Sequence, residues 1–544
     1  MPRPEDRPTR CLLVVPRFSD FSFWNLTPVY HLSGHKYLSA PLGLLTVAGM
    51  LPRDWELRLA DLNCRPLSDE EIDWADLVMA GSMIIQQLAT ADLIRRVHAR
   101  GRPIAVGGPD PTSQPWLYED ADFLVLDEGE STVPLFLRAW EAGERRGTFR
   151  ASGPRPDLRT SPVPRYDLAR HEDYLYIGVQ SSRGCPHACE FCDIVKLFGR
   201  SPRYKEPGQV LAELEALLAA GYRGHVDIAD DNLIADKRAA KELLRRLEGW
   251  SRERGWPFFF SGQVSLDLAS DEELLDLVGR CDFRYLFVGI ETPDPALLLA
   301  THKKQNLLAP VSESVSRIHA AGPLVMAGFI LGFDGEKAGA ARAVARCVEE
   351  TGVCVAMVGL LTSLPGTELD RRLRREGRLL IREGGAKIEP GETDQMTGGL
   401  NFLPLRPRRE ILREYRDALA SIYSVPSYFG RIRRSLSAQR PRWRHRGELH
   451  FLPRALLTGI WISLDLLVRP SAALDFLWTL LTVIPRGPAA AAACLVLSGY
   501  YLHLERQTSH VIAHLGRQIA DVEAFGEEEF NRRRGVHIAP QHGT

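Results

Sequence analysis

Short apolar runs alternate with amphipathic stretches along the first part of the chain. In the first 150 residues the apolar runs occupy 11–15, 57–60, 77–80, 104–106 and 123–126, and helical patterns such as 43–51 and 89–100 lie between them. This alternation is typical of a parallel sheet with crossover helices. It predicts an α/β fold with a Rossmann-like domain over residues 1–145, whose ligands would bind beyond the carboxyl ends of the strands.

A second α/β module follows a proline-containing linker, which we place at 146–175. Six strand-like runs lie at 176–180, 225–229, 258–265, 285–290, 324–331 and 355–361, separated by helical patterns such as 207–220 and 237–254. Six such units predict a partial (β/α)6 barrel over 176–400. The active site of such a barrel is expected at the carboxyl ends of its strands.

The remaining part of the chain, 401–544, is predicted to be a helical region. Three apolar stretches at 456–468, 472–484 and 489–502 are each shorter than the roughly 20 residues that a membrane-spanning helix needs. Seven arginines precede them: Arg431, Arg433, Arg434, Arg440, Arg442, Arg444 and Arg446. Two interpretations remain open: peripheral contact with an anionic membrane through 431–506, or a helical domain packed on the barrel with solvated arginines.

Composition restricts the compartment and the partners. The chain has 544 residues and a formal net charge of −1, which provides no general attraction to nucleic acid. Aromatic residues are rare within the arginine cluster, so we expect no nucleic-acid partner. The nine cysteines do not form a disulfide framework, and no signal-peptide pattern begins the sequence. We expect a cytoplasmic protein, with attachment to the inner face of the cell membrane as the alternative.

Three of the cysteines are clustered. Cys185, Cys189 and Cys192 have the spacing CxxxCxxC, just after the first strand of the predicted barrel. Three thiolates on one loop can bind three irons of a [4Fe–4S] cluster and leave the fourth iron open for a substrate or cofactor. A zinc site with His187 as the fourth ligand is the alternative, but no second CxxC pair accompanies it. We therefore expect these three cysteines to be the metal ligands and the catalytic centre.

This motif resembles that of the radical S-adenosylmethionine (SAM) superfamily, in which an aromatic residue, here Phe191, precedes the last cysteine. The resemblance covers about 176–370 and implies that the open iron binds SAM. Reduction of the cluster by an electron donor such as flavodoxin or ferredoxin would then yield a 5′-deoxyadenosyl radical, which abstracts hydrogen from a substrate. The protein would position the cofactor and exclude water.

Further barrel residues match the family more loosely. Asp230, Asp231 and Asn232 end the second strand, where members of the family place polar groups near the SAM amino group. Glu291 ends the fourth strand and resembles a SAM-contacting carboxylate, and Gly328 and Gly332 belong to the strand that resembles the one beside the adenine. Such residues also favour caps and turns, so it is their order along the barrel that supports a SAM site.

A Rossmann-like domain before such a barrel resembles the cobalamin-binding class of the superfamily. Ser82, Gly107, Gly108 and Glu128 follow successive strands of this domain and are the expected cobalamin contacts. The chain departs from the DxHxxG signature, because residues 16–20 read Pro-Arg-Phe-Ser-Asp after the first strand. Cobalamin, a vestigial domain and another ligand remain open, and any cobalamin would lack a lower axial histidine.

The segments 192–195, 198–200 and 230–234 look most like those of the hopanoid methylases and their relatives. The resemblance implies C-methylation of an unactivated carbon on a lipid or another small molecule. One SAM would methylate cobalamin, and a second would yield the radical that abstracts hydrogen from the substrate carbon. Such a carbon has no acidic proton, so general-base chemistry could not activate it. The alternatives are a radical cyclase, carbon–carbon coupling enzyme or oxidoreductase that transfers no methyl group, and a non-catalytic iron–sulfur protein.

Overall fold

The computed structural model describes residues 7–19, 22–23, 25–382, 394–445 and 452–540. In the first third, the elements in chain order are β1 (Arg10–Val15), α1 (Thr27–Leu32), β2 (Tyr37–Ser39), α2 (Leu42–Met50), β3 (Glu56–Asp61), α3 (Asp69–Trp74), β4 (Leu77–Gly81), α4 (Gln87–Ala99), β5 (Ile104–Gly107), α5 (Pro109–Ser113), β6 (Phe123–Val125), α6 (Gly129–Glu141) and β7 (Gly147–Phe149). Six of these strands form a parallel sheet in the order β3-β1-β4-β5-β6-β7. Buried apolar clusters cover both faces of the sheet, which confirms the Rossmann-like prediction.

The middle of the chain builds the predicted half-barrel. Its elements are β8 (Tyr174–Val179), β9 (Ser182–Arg183), α7 (Ile194–Phe198), β10 (Arg203–Tyr204), α8 (Pro207–Ala219), β11 (Gly224–Ile228), α9 (Lys237–Glu253), β12 (Phe258–Val264), α10 (Glu272–Arg280), β13 (Phe283–Glu291), α11 (Pro295–Ala300), α12 (Val311–Ala321), β14 (Leu324–Leu331), α13 (Ala340–Thr351), β15 (Val355–Leu360), α14 (Glu368–Arg375) and β16 (Leu380–Arg382). The six predicted strands are β8 and β11 to β15, which pair in parallel in chain order. Their alternate residues are fully buried beneath the helices, and the other face of the sheet forms the inside of the half-barrel.

One barrel strand comes from the N-terminal part of the chain. β2 pairs in parallel with β8, with Tyr37 opposite Tyr174, so the barrel sheet has seven strands in the order β15-β14-β13-β12-β11-β8-β2. The segment expected as a linker begins with β7, which completes the N-terminal sheet beside β6. The chain therefore passes from the first sheet to the barrel and back before the barrel proper begins.

The last part of the chain is helical, as predicted. It contains α15 (Arg408–Ile422), α16 (Val425–Ala438), α17 (Leu452–Leu467), α18 (Pro470–Val483), α19 (Pro488–Arg533) and a short β17 (Val536–Ile538) that pairs with β16. α19 is bent at Gly526 and packs along α15 and α1. Among the described residues, no helix is both long enough and apolar enough to cross a membrane.

Part of the arginine cluster is engaged within the fold rather than forming a solvated face. Arg431 on α16 is completely buried and pairs with Glu349 on α13. Arg433 donates to the Thr479 hydroxyl on α18 at 2.6 Å, and Arg442 pairs with Asp276 on α10 at 2.6 Å. Arg446 lies outside the described residues. The ion pairs of Arg431 and Arg442 attach the helical region to the barrel, and the Arg433 hydrogen bond joins two helices within that region.

Candidate cluster and cofactor site

The three clustered cysteines lie on one loop, residues 184–199, which we call the cluster loop. It starts from a left-handed glycine, Gly184, with φ of 94°, and ends at Gly199, whose carbonyl accepts from the Cys185 amide at 3.2 Å. The Cys192 amide donates to the Cys189 carbonyl at 3.1 Å. All three thiols are half-buried and without disulfides. The loop is thus closed at its base and presents three thiols from one turn.

The donor set fits an iron–sulfur cluster better than a single metal ion. Among the described residues, no three His, Cys, Asp or Glu side chains converge as they would around one metal ion. A [4Fe–4S] cluster instead binds each cysteine at a different iron, so its ligands need not point to one atom. Burial raises the pKa of the three thiols, most strongly for Cys192. A bound metal cluster would make the thiolate form favourable in such a setting.

Two aspartates after β11 anchor the start of the cluster loop. The Asp230 carboxylate accepts from the Ser181 and Ser182 amides at 2.7 and 2.9 Å and from both hydroxyls. Asp231 accepts from the Gly184 amide at 2.7 Å. Burial raises the pKa of Asp231 to about 6. Both aspartates were predicted as SAM contacts; in the structure they are positioning residues for the loop, and direct contact with SAM stays a prediction.

A buried ion pair lies beside the cysteines on the opposite side. Glu291 ends β13 at a β-bulge with φ of 65°, and its carboxylate accepts from the Lys303 ammonium. Burial alone would lower the pKa of Lys303, but Glu291 and Cys189 raise it to about 12. A left-handed, non-glycine residue at a strand end is costly and is found mainly at functional sites. Lys303 therefore keeps a positive charge next to Glu291 and the cluster loop.

The outer side of the cluster loop is attached to the last barrel unit. The Glu190 carboxylate pairs with Arg372 on α14 at 3.1 Å, and Arg372 also pairs with Asp334 at 2.7 Å. Lys196 donates to the Pro365 carbonyl at 2.9 Å. Glu190 lies within the cysteine motif, but its partner Arg372 lies about 180 residues later in the chain. The sequence therefore gave no signal for this attachment. The loop is held from at least three sides before any cofactor binds.

The other predicted SAM residues lie along the carboxyl ends of the same strands. Asn232 bonds Ser265 through its side-chain amide at 3.0 Å, and Phe191 packs on Phe333 with ring centroids 5.7 Å apart. A Cβ at Gly328 would lie 3.2 Å from the Phe287 ring. Gly332 has φ of 98° and donates its amide to Glu336 at 2.9 Å. These residues surround one end of the barrel, as expected, and their contacts with a cofactor stay predictions.

The predicted residues of the N-terminal sheet also meet at one edge. The Ser82 amide donates to the Gly107 carbonyl at 2.9 Å, and a Cβ at Gly108 would lie 2.9 Å from the Ser82 carbonyl oxygen. The Ser82 hydroxyl contacts those of Thr90 and Tyr118 at 2.9 and 3.1 Å. The two glycines thus let β4, β5 and β6 approach closely at this edge, and the Ser82 hydroxyl already has protein partners, so contact of these residues with cobalamin stays a prediction.

Glu128 connects the N-terminal sheet to the cluster loop. Its carboxylate is buried and pairs with Arg183 at 3.1 Å and Arg203 at 2.9 Å. Arg183 lies directly before the cluster loop and Arg203 lies shortly after it. Arg155 pairs with Glu128 at 3.3 Å and donates to the Lys196 carbonyl at 2.7 Å. Since α5 also contacts α7, the carboxyl edge of the N-terminal sheet faces the cluster loop. Sequence reasoning assigned Glu128 to cobalamin and did not reveal these arginine partners.

Comparison with known families fits this geometry. Residues 179–348 match the model of the radical SAM superfamily, and residues 367–516 match a domain of unknown function (DUF4070). The uncharacterized methyltransferase sll1242 of Synechocystis sp. is 40% identical over 517 residues, 94% of each chain. The hopanoid C-2 methylase of Rhodopseudomonas palustris is 34% identical over 418 residues, 76% of this chain and 77% of that protein. The chain belongs to the radical SAM superfamily.

Solved structures agree with the architecture of this radical SAM enzyme. The cobalamin-dependent radical enzyme OxsB, with aqua-cobalamin and SAM bound, superposes with a TM-score of 0.57 over 97% of this chain and 84% of that one, at 16% identity. The radical SAM methyltransferase TsrM of Kitasatospora setae superposes with a TM-score of 0.54 over 74% of this chain and 83% of that one, at 18% identity. At these identities the likeness establishes the fold.

Proposed function

We propose that this radical SAM enzyme uses cobalamin to methylate an unactivated carbon of a lipid. A [4Fe–4S] cluster binds to Cys185, Cys189 and Cys192, SAM binds to the open iron, and cobalamin lies on the carboxyl edge of the N-terminal sheet. The observation that carries the proposal is the position of the cluster loop, between that edge and the carboxyl ends of the barrel strands. The two relatives reported above are named as a methyltransferase and a methylase.

When bound, these groups supply a hydrogen-abstracting radical and a transferable methyl group. The chain itself holds the reacting groups in place. Asp230 and Asp231 fix the backbone at the start of the cluster loop, and Glu128 with its arginines fixes the distance between the two domains. A loop fixed in this way would hold a bound cluster in place without reorganisation of its own backbone.

The inner face of the barrel is apolar at β13 to β15, whereas His225, Asp227 and Ser261 on β11 and β12 form a hydrogen-bonded polar cluster on the same face. Phe287, Met326, Ile330 and Met357 lie on the face opposite the fully buried positions of β13 to β15, and each remains partly exposed. Gly328 on the same face lets the Phe287 ring pack closely against the β14 backbone. Apolar lining with few polar groups is typical of sites for hydrocarbon ligands. The hopanoid C-2 methylase relative is named for action on a lipid, which is consistent with this lining.

The proposal is tested by anaerobic purification with iron, sulfide and cobalamin, followed by reduction with flavodoxin or dithionite and SAM. We expect one cluster, one cobalt and release of 5′-deoxyadenosine, and a product 14 mass units heavier from a lipid extract, about the mass of one CH2 group. In Cys189→Ala the cluster and the SAM cleavage are lost, whereas Cys64→Ala, at a half-buried cysteine outside the cluster loop, retains both. Zinc in place of iron would overturn the proposal.

Cobalamin binding is tested separately. Gly108→Ala places a methyl group against the Ser82 backbone at the proposed cobalamin edge, so cobalt content should fall while the cluster remains. Gly101→Ala is the matched control, because Gly101 also has a positive φ, 65°, but open space around its Cβ. If Gly108→Ala binds cobalt as well as Gly101→Ala does, the edge is not the cobalamin site. A product that has lost hydrogens without gaining a methyl group would favour a radical cyclase.

A further inference from the structure

Two helices of the C-terminal region expose an apolar stripe to the surface. The exposed large apolar side chains of α17 are Leu457, Ile460, Trp461, Leu464 and Leu467, and Val468 follows directly after the helix; they have the i, i+3, i+4, i+7 spacing of one helix face. The opposite face is buried, with Ile462 and Leu466 packed in the core. α17 is therefore apolar on both sides, unlike a surface helix that faces water.

The next helix repeats this arrangement. Leu474, Leu477, Trp478, Leu481 and Ile484 form a stripe with the same spacing at the exposed side of α18, while Ala472, Phe476 and Val483 are buried. The two helices contact each other, and their neighbours include α1, α16 and α19. Together they present one broad apolar surface, which we call the hairpin face. Exposed apolar patches of this kind mark surfaces that are covered by a partner or a membrane.

The charges around the hairpin face nearly cancel. The carboxylates of the hairpin, Asp465 and Asp475, lie 3.2 and 3.9 Å from Arg469 and Arg433, and Arg469 also pairs with Glu505. Beyond α18, Arg486 is exposed and donates to the Leu436 carbonyl at 3.4 Å. With Arg431, Arg434 and their partner Glu349 on the neighbouring helices, five arginines face four carboxylates, an excess of one positive charge. A small cationic excess of this kind favours contact with anionic lipid headgroups.

Two features favour a bilayer over a protein partner. Trp461 and Trp478 are 60% and 59% exposed, one on each helix, and tryptophan is the residue that anchors proteins at the headgroup level. The helices have 16 and 14 residues, too short to cross a bilayer, and they lie side by side. Helices with these properties insert in the plane of the interface.

We propose that the hairpin face binds the surface of an anionic membrane as a monotopic anchor. α17 contacts α1, and α1 contacts β2, the outermost strand of the barrel sheet. The anchor therefore lies beside the open edge of the half-barrel. At this edge a lipid could pass from the membrane into the barrel. That role rests on the proposed function above, whereas membrane binding itself does not.

The test is co-sedimentation of the full-length holoenzyme with vesicles of phosphatidylglycerol and phosphatidylcholine. We expect the protein to bind, and the double variant Trp461→Ser/Trp478→Ser to bind about tenfold more weakly or worse, because two anchoring side chains are lost. Trp116→Ser is the matched control, since Trp116 is 57% exposed on the N-terminal domain. SAM cleavage without lipid should be unchanged in both variants, which shows that they remain folded.

Three results would overturn the inference. These are no vesicle binding by the wild-type protein, equal binding by the double variant, or a wild-type dimer that the double variant converts to monomers without any vesicle binding. The last result would assign the hairpin face to a second copy of the chain. Vesicle binding without any methylated lipid would leave the anchor intact and count against the proposed lipid substrate alone.

Discussion

Replacement of Glu128 by glutamine should loosen the cluster loop from the N-terminal domain. The Glu128 carboxylate is 4% exposed and is shared by Arg155, Arg183 and Arg203, at 3.3, 3.1 and 2.9 Å. Glutamine keeps the size and one acceptor oxygen but removes the negative charge. The three arginines would then face one another without a common counter-ion, apart from the pair of Arg183 with Glu130 at 2.8 Å.

The free-energy cost of this substitution follows from the burial of the carboxylate. Loss of one partner from a buried, hydrogen-bonded ion pair costs about 3–5 kcal/mol. The Arg155 side chain is 36% exposed, so water screens its interaction with Glu128 and this pair contributes little to the cost. The retained acceptor oxygen lowers the cost further, and we expect about 3 kcal/mol. Because 1.36 kcal/mol corresponds to a factor of ten, the cluster loop should open roughly a hundredfold more often.

Hydrogen–deuterium exchange measured by mass spectrometry on peptides covering 184–199 checks this expectation in the anaerobic holoenzyme. Glu523→Gln is the control, since Glu523 pairs with Arg413 at the surface and should change stability by less than about 1 kcal/mol. Exchange of the cluster loop in Glu128→Gln that matches Glu523→Gln would refute the reasoning. It would mean that the arginines find water or other partners at no cost.

Three further predictions concern the barrel. Burial raises the pKa of Glu336 from 4.5 to about 7, so its proton is held in the folded state between these values and stability falls as pH rises through this window. Urea unfolding at pH 5 and pH 8 should show a loss that is larger in the wild type than in Glu336→Gln by up to about 3 kcal/mol; the loss that remains in the variant comes from other buried carboxyls such as Asp231. Lys303→Met removes the cation beside Glu291, so anaerobic equilibrium dialysis should show SAM binding weakened about tenfold with iron content retained. Unchanged SAM affinity would limit Lys303 to a structural role. Asp230→Asn places amide hydrogens against the donors of Ser181 and Ser182, so stability should fall by about 2 kcal/mol and less iron should be retained. Asp236→Asn, which only exchanges one helix-capping residue for another, should alter neither quantity.

Sequence reasoning succeeded where local pattern decides the structure. The apolar runs at 104–106 and 324–331 became β5 and β14, because a buried parallel strand needs little beyond a short apolar segment between crossover helices. The cysteine spacing likewise identified a loop whose geometry is local. Strand β2 was missed, since three residues without an apolar run become a strand only when β8 provides the hydrogen-bonding edge.

Electrostatic partners that are distant along the chain could not be predicted from one sequence. Glu128 and Asp230 were identified as polar residues at strand ends, and the structure places both there. Their partners, such as Arg183 and Ser181, are separated from them by tens of residues and carry no signal of the pairing. Lys303 was missed for a similar reason, because it lies in a polar segment between strands and becomes distinctive only when the fold brings it against Glu291.

The seventh barrel strand also limits how this enzyme can be divided or recombined. A fragment that starts near residue 150 would lose β2 and leave β8 as an unpaired edge, a surface that invites aggregation. An exchange of N-terminal domains between relatives would transplant a strand of the catalytic barrel along with the cofactor domain. Residues 37–39 and the barrel therefore need to be exchanged together, because the hydrogen bonds between β2 and β8 join them.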